Sequence, residues 1–236
     1  MKIIFSPTKS QNTESLVPIK TTKPAFEKQS RELLKILCQK SLPEIRAIYS
    51  CSDALAQKTF DQFQKPQKLK IPAIEMFSGT AFKGLDIDSY SVNQQKYIQS
   101  HLRILSALYG ALSPYDGVAN YRLDMNDRIF ASDEIHTNLY EFWEPHLETY
   151  FDKDELVINL ASDEYAKMLP KEQNLLTLHF LVEKEGNQKT VAMYSKQQRG
   201  KMLNYMITNN IQSPDELKKY SSDGFVFNRR QSDSKD

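Results

Sequence analysis

Short apolar clusters alternate along this chain with polar stretches that carry most of its Pro, Gly and Ser. Ile3, Ile4 and Phe5 form the first cluster and predict a short strand over Lys2–Phe5, closed by Ser6-Pro7-Thr8-Lys9-Ser10. A long polar loop with Pro18 and Pro24 follows. From Pro24 to about Gln39, Phe26, Leu33, Leu34, Ile36 and Leu37 recur at helical spacing, against a basic stripe of Lys28, Arg31, Lys35 and Lys40. Ser41-Leu42-Pro43-Glu44 reads as a helix restart with proline in the first turn. Ser52 reads as the cap of a third helix through Phe63. Residues 24–64 thus form a basic helical subregion.

Beyond a Pro-bracketed link, Ala73–Phe77 reads as a strand feeding a glycine-bearing loop, and a helix follows from about Ser91 to Ser100. Leu102, Ile104, Leu105, Ala107 and Leu108 predict a central strand, broken at Tyr109-Gly110, Ser113-Pro114 and Asp116-Gly117. Leu139, Phe142, Trp143, Leu147 and Phe151 predict a helix within Ser132–Phe151. Leu156–Leu160 reads as a buried strand, and Ser162 as the cap of a helix through Leu169. Leu175–Glu183 and Thr190–Ser195 flank Glu185-Gly186-Asn187-Gln188 and read as a hairpin. A helix with Met202, Tyr205, Met206 and Ile207 on its inner face comes next, then a short helix over Pro214–Tyr220 and an aromatic strand over Gly224–Asn228. Residues 229–236 read as a frayed tail. The expected fold class is α/β in a mixed α+β form. It is one compact domain spanning 1–236, with a central mixed sheet flanked by helices and an N-terminal helical element.

Composition narrows the class. With 40% hydrophobic and 11% aromatic residues in 236, the chain can bury a core without disulfides. Cys38 and Cys51 fit reduced thiols, and the four histidines lack metal-ligand spacing. No apolar run reaches membrane-helix length, and the first residues are too short an apolar run for a signal peptide. A cytoplasmic, non-membrane, monomeric protein without cofactor or metal is the expectation. The net charge of +1 is unevenly spread: residues 1–70 hold 13 Lys/Arg against 6 Asp/Glu, and residues 71–160 hold 6 against 14. Such polarity suits attraction of a polyanion to one face, although the thirds of a chain often intermix on folding.

No phosphate-binding loop, dinucleotide fingerprint or nucleophile elbow is present. Small polar or basic groups instead recur directly after strands: Ser6/Lys9, Ser78/Gly79, Tyr109/Gly110, Ser162 and Lys196/Arg199. If these strands share a sheet edge, the groups converge on one cleft. Lys9, Arg122, Lys196 and Arg199 would then bind an anion, with Tyr109 or Asp116 as proton-transfer candidates. Lys196, Arg199 and Lys201 are expected near a helix N-terminus, where the dipole already favours anions. Asp116 and Asp124 are candidates to pair with the basic groups. A basic surface turn and a solvated helical face are the plainer alternatives.

Seven motifs together resemble a known family. They are SPTK (6–9), FSG…FKGLD (77–86), LRILSALYGALSPYD (102–116), YRLDM (121–125), NLYEFW (138–143), INLASDEY (158–165) and YSKQQRGKM (194–202). In this order and spacing the chain resembles the YaaA peroxide-stress proteins over nearly its whole length. The resemblance implies a cytosolic bacterial protein that limits oxidative damage under hydrogen peroxide, a mixed α/β fold with a helix-hairpin-helix element, and DNA binding. The helices around Ser41–Glu44 are the candidate hairpin, although they lack paired glycines.

Two functions follow. The first is DNA binding by phosphate contacts along Arg31, Lys35, Lys40, Arg46 and Lys58. The second is an enzyme holding a small phosphorylated or nucleotide ligand in a cleft of Lys9, Tyr109, Gly110, Asp116, Arg122, Lys196 and Arg199.

Overall fold

Strand β1 (Lys2–Phe5) is buried on both faces, which is why it reads as an unbroken apolar run and not an alternating one. A computed structural model describes residues 1–14, 20–65, 71–130, 135–184 and 187–232. After β1 come three helices, α1 (Glu27–Gln39), α2 (Leu42–Tyr49) and α3 (Asp53–Gln64). The short strand β2 (Ile71–Pro72) and the one-turn helix α4 (Ala73–Met76) lead to α5 (Val92–His101). Strands β3 (Leu102–Ser106), β4 (Gly110–Leu112) and β5 (Gly117–Val118) follow, then α6 (Leu139–Tyr150), β6 (Val157–Leu160), α7 (Asp163–Ala166) and β7 (Leu175–Thr177). The remaining elements are the hairpin β8 (Leu181–Lys184) and β9 (Asn187–Thr190), helices α8 (Ala192–Thr208) and α9 (Pro214–Leu217), and the pair β10 (Ser221–Ser222) and β11 (Phe225–Val226).

The main sheet has the order β4-β3-β1-β6-β7. Strands β3, β1, β6 and β7 are parallel, and β4 runs antiparallel at one edge. The fold is therefore mixed α/β, with helices on a central mixed sheet. The polar Asn159 within β6 is buried but satisfied. Its Oδ1 accepts from the Ala161 N–H (2.8 Å), and its Nδ2 donates to Thr177 Oγ1 (3.3 Å).

The β3–β4 hairpin is locked by aromatic packing. Gly110 takes φ +72°, and a Cβ there would stand 2.7 Å from the Trp143 ring and 2.8 Å from Phe26. Trp143 Nε1 donates to the Ala107 carbonyl (2.8 Å), so α6 is pinned to the turn it covers. Gly200 of α8 lies against the Ala81 backbone so closely that no side chain fits between them.

Five sequence expectations change. Ala73–Phe77 is not a strand: Ala73–Met76 turns helical once the Ala73 and Ile74 N–H groups donate to the carbonyls of Asp116 and Pro114. A fully buried apolar run carries no period, so sequence alone does not separate the two forms. Leu175–Glu183 divides into β7 of the main sheet and β8 of a separate hairpin. The predicted strand Thr190–Ser195 is mostly helix, because α8 begins at Ala192. Lys196, Arg199 and Lys201 therefore lie inside α8 and not at its N-terminus. The predicted helix within Ser132–Phe151 begins at Leu139, capped by Asn138, whose side chain accepts from the Glu141 N–H. The expectations placed on Pro18, residues 66–70, Ser132, Glu185-Gly186 and the last four residues lie outside the described residues.

Candidate functional site

The parallel strands converge where the chain order reverses about β1: β3 lies on one side and β6 on the other. Ligand crevices in open α/β sheets form at such switch points, beyond the carboxyl ends of the strands. Phe5 of β1 is in register with Leu160 of β6, so the two strands end together. The loops leaving them are joined directly: Ser6 Oγ accepts from the Ser162 N–H (2.8 Å) and lies 3.2 Å from Ser162 Oγ. This junction sets the path of Pro7, Thr8 and Lys9.

Next to it lies a cleft of about 420 Å³. One wall is the loop after β1, with Thr8 and Lys9. A second is α3, through Leu55, Lys58, Thr59 and Gln62. A third is the segment Asn120–Asp124, and Tyr165 of α7 closes the end. Lys9 Nζ is 2.9 Å from Asp124 Oδ2, while the Tyr165 hydroxyl is 3.4 Å from Asp124 Oδ1. The hydrogen bond and charge of Asp124 hold the Lys9 ammonium above its ordinary pKa.

Arg122 is braced by Tyr49 of α2. Its guanidinium lies 5.3 Å from the centre of the Tyr49 ring, and the Tyr49 hydroxyl donates to the Arg122 carbonyl. Arg122 Nε is buried and has no hydrogen-bond partner among the described residues. Behind it Asp127 accepts from the Asp124 N–H (2.7 Å). Burial, helped by the like charge of Asp124, pushes the Asp127 carboxyl up to about 6.

The polar wall is built from amides. Gln62 Nε2 donates to the Asn120 carbonyl (2.7 Å), Asn120 Nδ2 to the Asn12 carbonyl (2.7 Å), and the Tyr121 N–H to Gln11 Oε1 (3.0 Å). Tyr121 is supported from inside by Ser106, their hydroxyls 2.8 Å apart, and by the edge of the Tyr109 ring.

The sequence candidates thus separate. Lys9 and Arg122 meet in the cleft, joined by Lys58 from the helical set. Tyr109 is buried behind Tyr121, its hydroxyl engaged with the Ala119 backbone. Gly110 packs under Trp143, on the α6 side of the hairpin. Asp116 is buried and accepts from Thr22 Oγ1 (2.7 Å) and the Ser113 N–H (2.8 Å), so it braces a loop and pairs with none of the cleft cations. Burial raises its carboxyl pKa. Lys196 and Arg199 sit on α8 and do not line the cleft. Burial lowers the Arg199 pKa against the opposing charge of Asp163.

Of the other helical candidates, Arg31 pairs with Glu27 (2.8 Å), Lys40 with Glu44 (3.9 Å) and Arg46 with Asp53 (3.0 Å), while Lys35 is exposed. The Ser41 turn is closed on itself, since Glu44 accepts from both the Ser41 N–H and its hydroxyl. Sequence reasoning missed Gln62, Asn120, Tyr49 and Asp127 as parts of the site. Only the neighbourhood of Asn120 and Asp127 to the YRLDM motif pointed towards them.

A broader groove of about 2450 Å³ runs beneath β7 and the C-terminal strands. It exceeds the usual 300–1,000 Å³ of a small-molecule pocket, and its charges are mixed. No group of three or more His, Cys, Asp or Glu able to hold a metal occurs among the described residues. No helix among them is long and apolar enough to cross a membrane.

Residues 1–231 match the family model described as peroxide stress protein YaaA. A UPF0246 protein of Fusobacterium nucleatum is 38% identical, over all of this chain and 96% of its own length. UPF0246 proteins of Agathobacter rectalis and Finegoldia magna are 36% and 35% identical, over 96% and 100% of this chain and 93% and 96% of their own lengths.

Proposed function

The chain belongs to the YaaA peroxide stress protein family, and from that premise we propose that it is a cytosolic protein that binds DNA through backbone phosphates and limits oxidative damage. The observation that supports this reading is Lys58. It stands on α3, within the basic helical subregion, yet it lines the same cleft as Lys9 and Arg122. The basic helical subregion thereby contributes a cation to the strand-end cleft. Phosphate contacts fix orientation without reading sequence, so the binding is selective for structure and not for bases. Arg31 and Arg46 are already paired with Glu27 and Asp53, so the cleft cations are the expected phosphate contacts. The Ser41 turn is less suited, because its N–H is already engaged by Glu44.

The test is the salt dependence of binding to a short duplex. Three phosphate contacts at Lys9, Lys58 and Arg122 give a slope of log affinity against log salt of about −2.7. The triple change to Gln is expected to abolish that slope and most of the affinity. Duplex affinity that is independent of salt, or unchanged in the triple variant, overturns the reading.

A further inference from the structure

We propose that the cleft between α3 and the Asn120–Asp124 segment is a binding site for a free nucleoside 5′-monophosphate. The inference goes beyond DNA binding and does not depend on it. Phosphate contacts to a duplex need an exposed cationic surface. They do not need a recessed cleft of about 420 Å³ with a buried donor in its lining. This cleft has both, and its volume lies in the range that takes a molecule of nucleotide size.

The lining divides by chemistry into three parts that match the three parts of such a ligand. Lys9, Lys58 and Arg122 supply cations for the phosphate. Arg122 carries a buried Nε–H with no partner among the described residues, a donor whose desolvation is uncompensated until an acceptor arrives. Lys9 donates to Asp124, and an ammonium has three donors. A purely anionic ligand would not call for Asp124, whose carboxylate sits among the cations. Its acceptor oxygens suit a sugar hydroxyl, as the acidic residue of nucleotide-binding α/β folds suits a ribose. The amides of Gln62 and Asn120 each use their NH₂ on backbone carbonyls. Among the described residues their side-chain carbonyls have no hydrogen-bond donor, leaving two acceptors for the amino edge of a base. The site lies at the sheet's switch point, where the topology already directs ligands.

The experiment is calorimetric titration of the full chain with adenosine 5′-monophosphate, inorganic phosphate, adenosine and 2′-deoxyadenosine 5′-monophosphate, in low-salt buffer. Adenosine 5′-monophosphate is expected to bind at least tenfold more tightly than either inorganic phosphate or adenosine, and more tightly than the 2′-deoxy form. Arg122→Gln is expected to weaken it at least tenfold, and Lys196→Gln to leave it unchanged. If Arg122→Gln does not fold, Leu55→Trp fills the cleft from the α3 wall without altering charge and is expected to abolish binding. Adenosine 5′-monophosphate that binds no better than inorganic phosphate, or as well to Leu55→Trp as to the parent, overturns the proposal. Duplex binding measured on the same samples separates the two ideas. Nucleotide binding without duplex binding removes the earlier reading alone, and duplex binding without nucleotide binding removes this one alone.

Discussion

The Lys9 ammonium and the Asp124 carboxylate, 2.9 Å apart, tie the loop leaving β1 to the segment that carries Arg122. This ion pair brings an acid into a cationic cleft, and the Asp124 N–H donates to Asp127, whose proton affinity burial raises.

That burial gives a pH signature. Asp127 titrates at about 6 in the folded protein against an ordinary value near 3.8. Between those values the unfolded chain has released a proton that the native state retains, so stability falls as pH rises through the window. Asn at this position keeps an acceptor for the Asp124 N–H without the buried charge. Asp127→Asn is expected to unfold about 2–4 °C above the parent at pH 7 and to converge with it below pH 4, as followed by circular dichroism. A variant that gains equally at both pH values excludes this account.

Gly110→Ala tests the hairpin lock. The substitution meets both a positive φ and rings at 2.7 and 2.8 Å. Overpacking and left-handed strain together predict a loss of at least about 2 kcal/mol in urea unfolding. Gly224, at φ +81° with open space around its Cβ position, carries the strain alone. Gly224→Ala is expected to cost about 1 kcal/mol. Equal losses at the two sites would contradict the packing role of Trp143 and Phe26.

Charge reversal separates the cleft from the helical face. Lys58→Glu is expected to lower duplex affinity at least tenfold in fluorescence anisotropy at about 0.1 M salt. Arg31→Glu, at a position already neutralised by Glu27, is expected to lower it less than threefold. The reverse ranking would move the DNA path off the cleft and onto α1.

Removing the Trp143 indole donor tests the α6 anchor. Trp143→Phe leaves the Ala107 carbonyl without its side-chain donor and opens space in a fully buried site. The expected loss is about 2–4 kcal/mol, read by thermal unfolding. A change below 1 kcal/mol would mean that the turn is held by Gly110 packing alone.

What the sequence made legible follows burial and distance. β1 and β6 were readable because buried parallel strands are short apolar runs closed by polar residues. α1 was readable from a one-sided stripe and α3 from its Ser52 cap. Ala73–Met76 was not, since all four residues are buried and the run has no face. The start of α8 was hidden because Val191, Met193 and Tyr194 resemble a strand, although Met193 and Tyr194 are exposed. Within the cleft, Lys9 and Arg122 stood out beside their motifs. Gln62 did not, because nothing local marks a residue whose partner lies in another part of the chain. Tyr109, Gly110 and Asp116 carried the same surface signature as site residues, but their side chains or backbone serve the turn itself.

The cleft walls come from residues 9, 58, 122 and 165, contributed by four segments that meet only in the native topology. An unfolded chain has no such cavity. Any occupant of the cleft therefore binds the native state alone and protects it by mass action, by about 2.7 kcal/mol at a hundred times its dissociation constant. Melting temperature becomes an assay of occupancy that needs neither colour nor turnover.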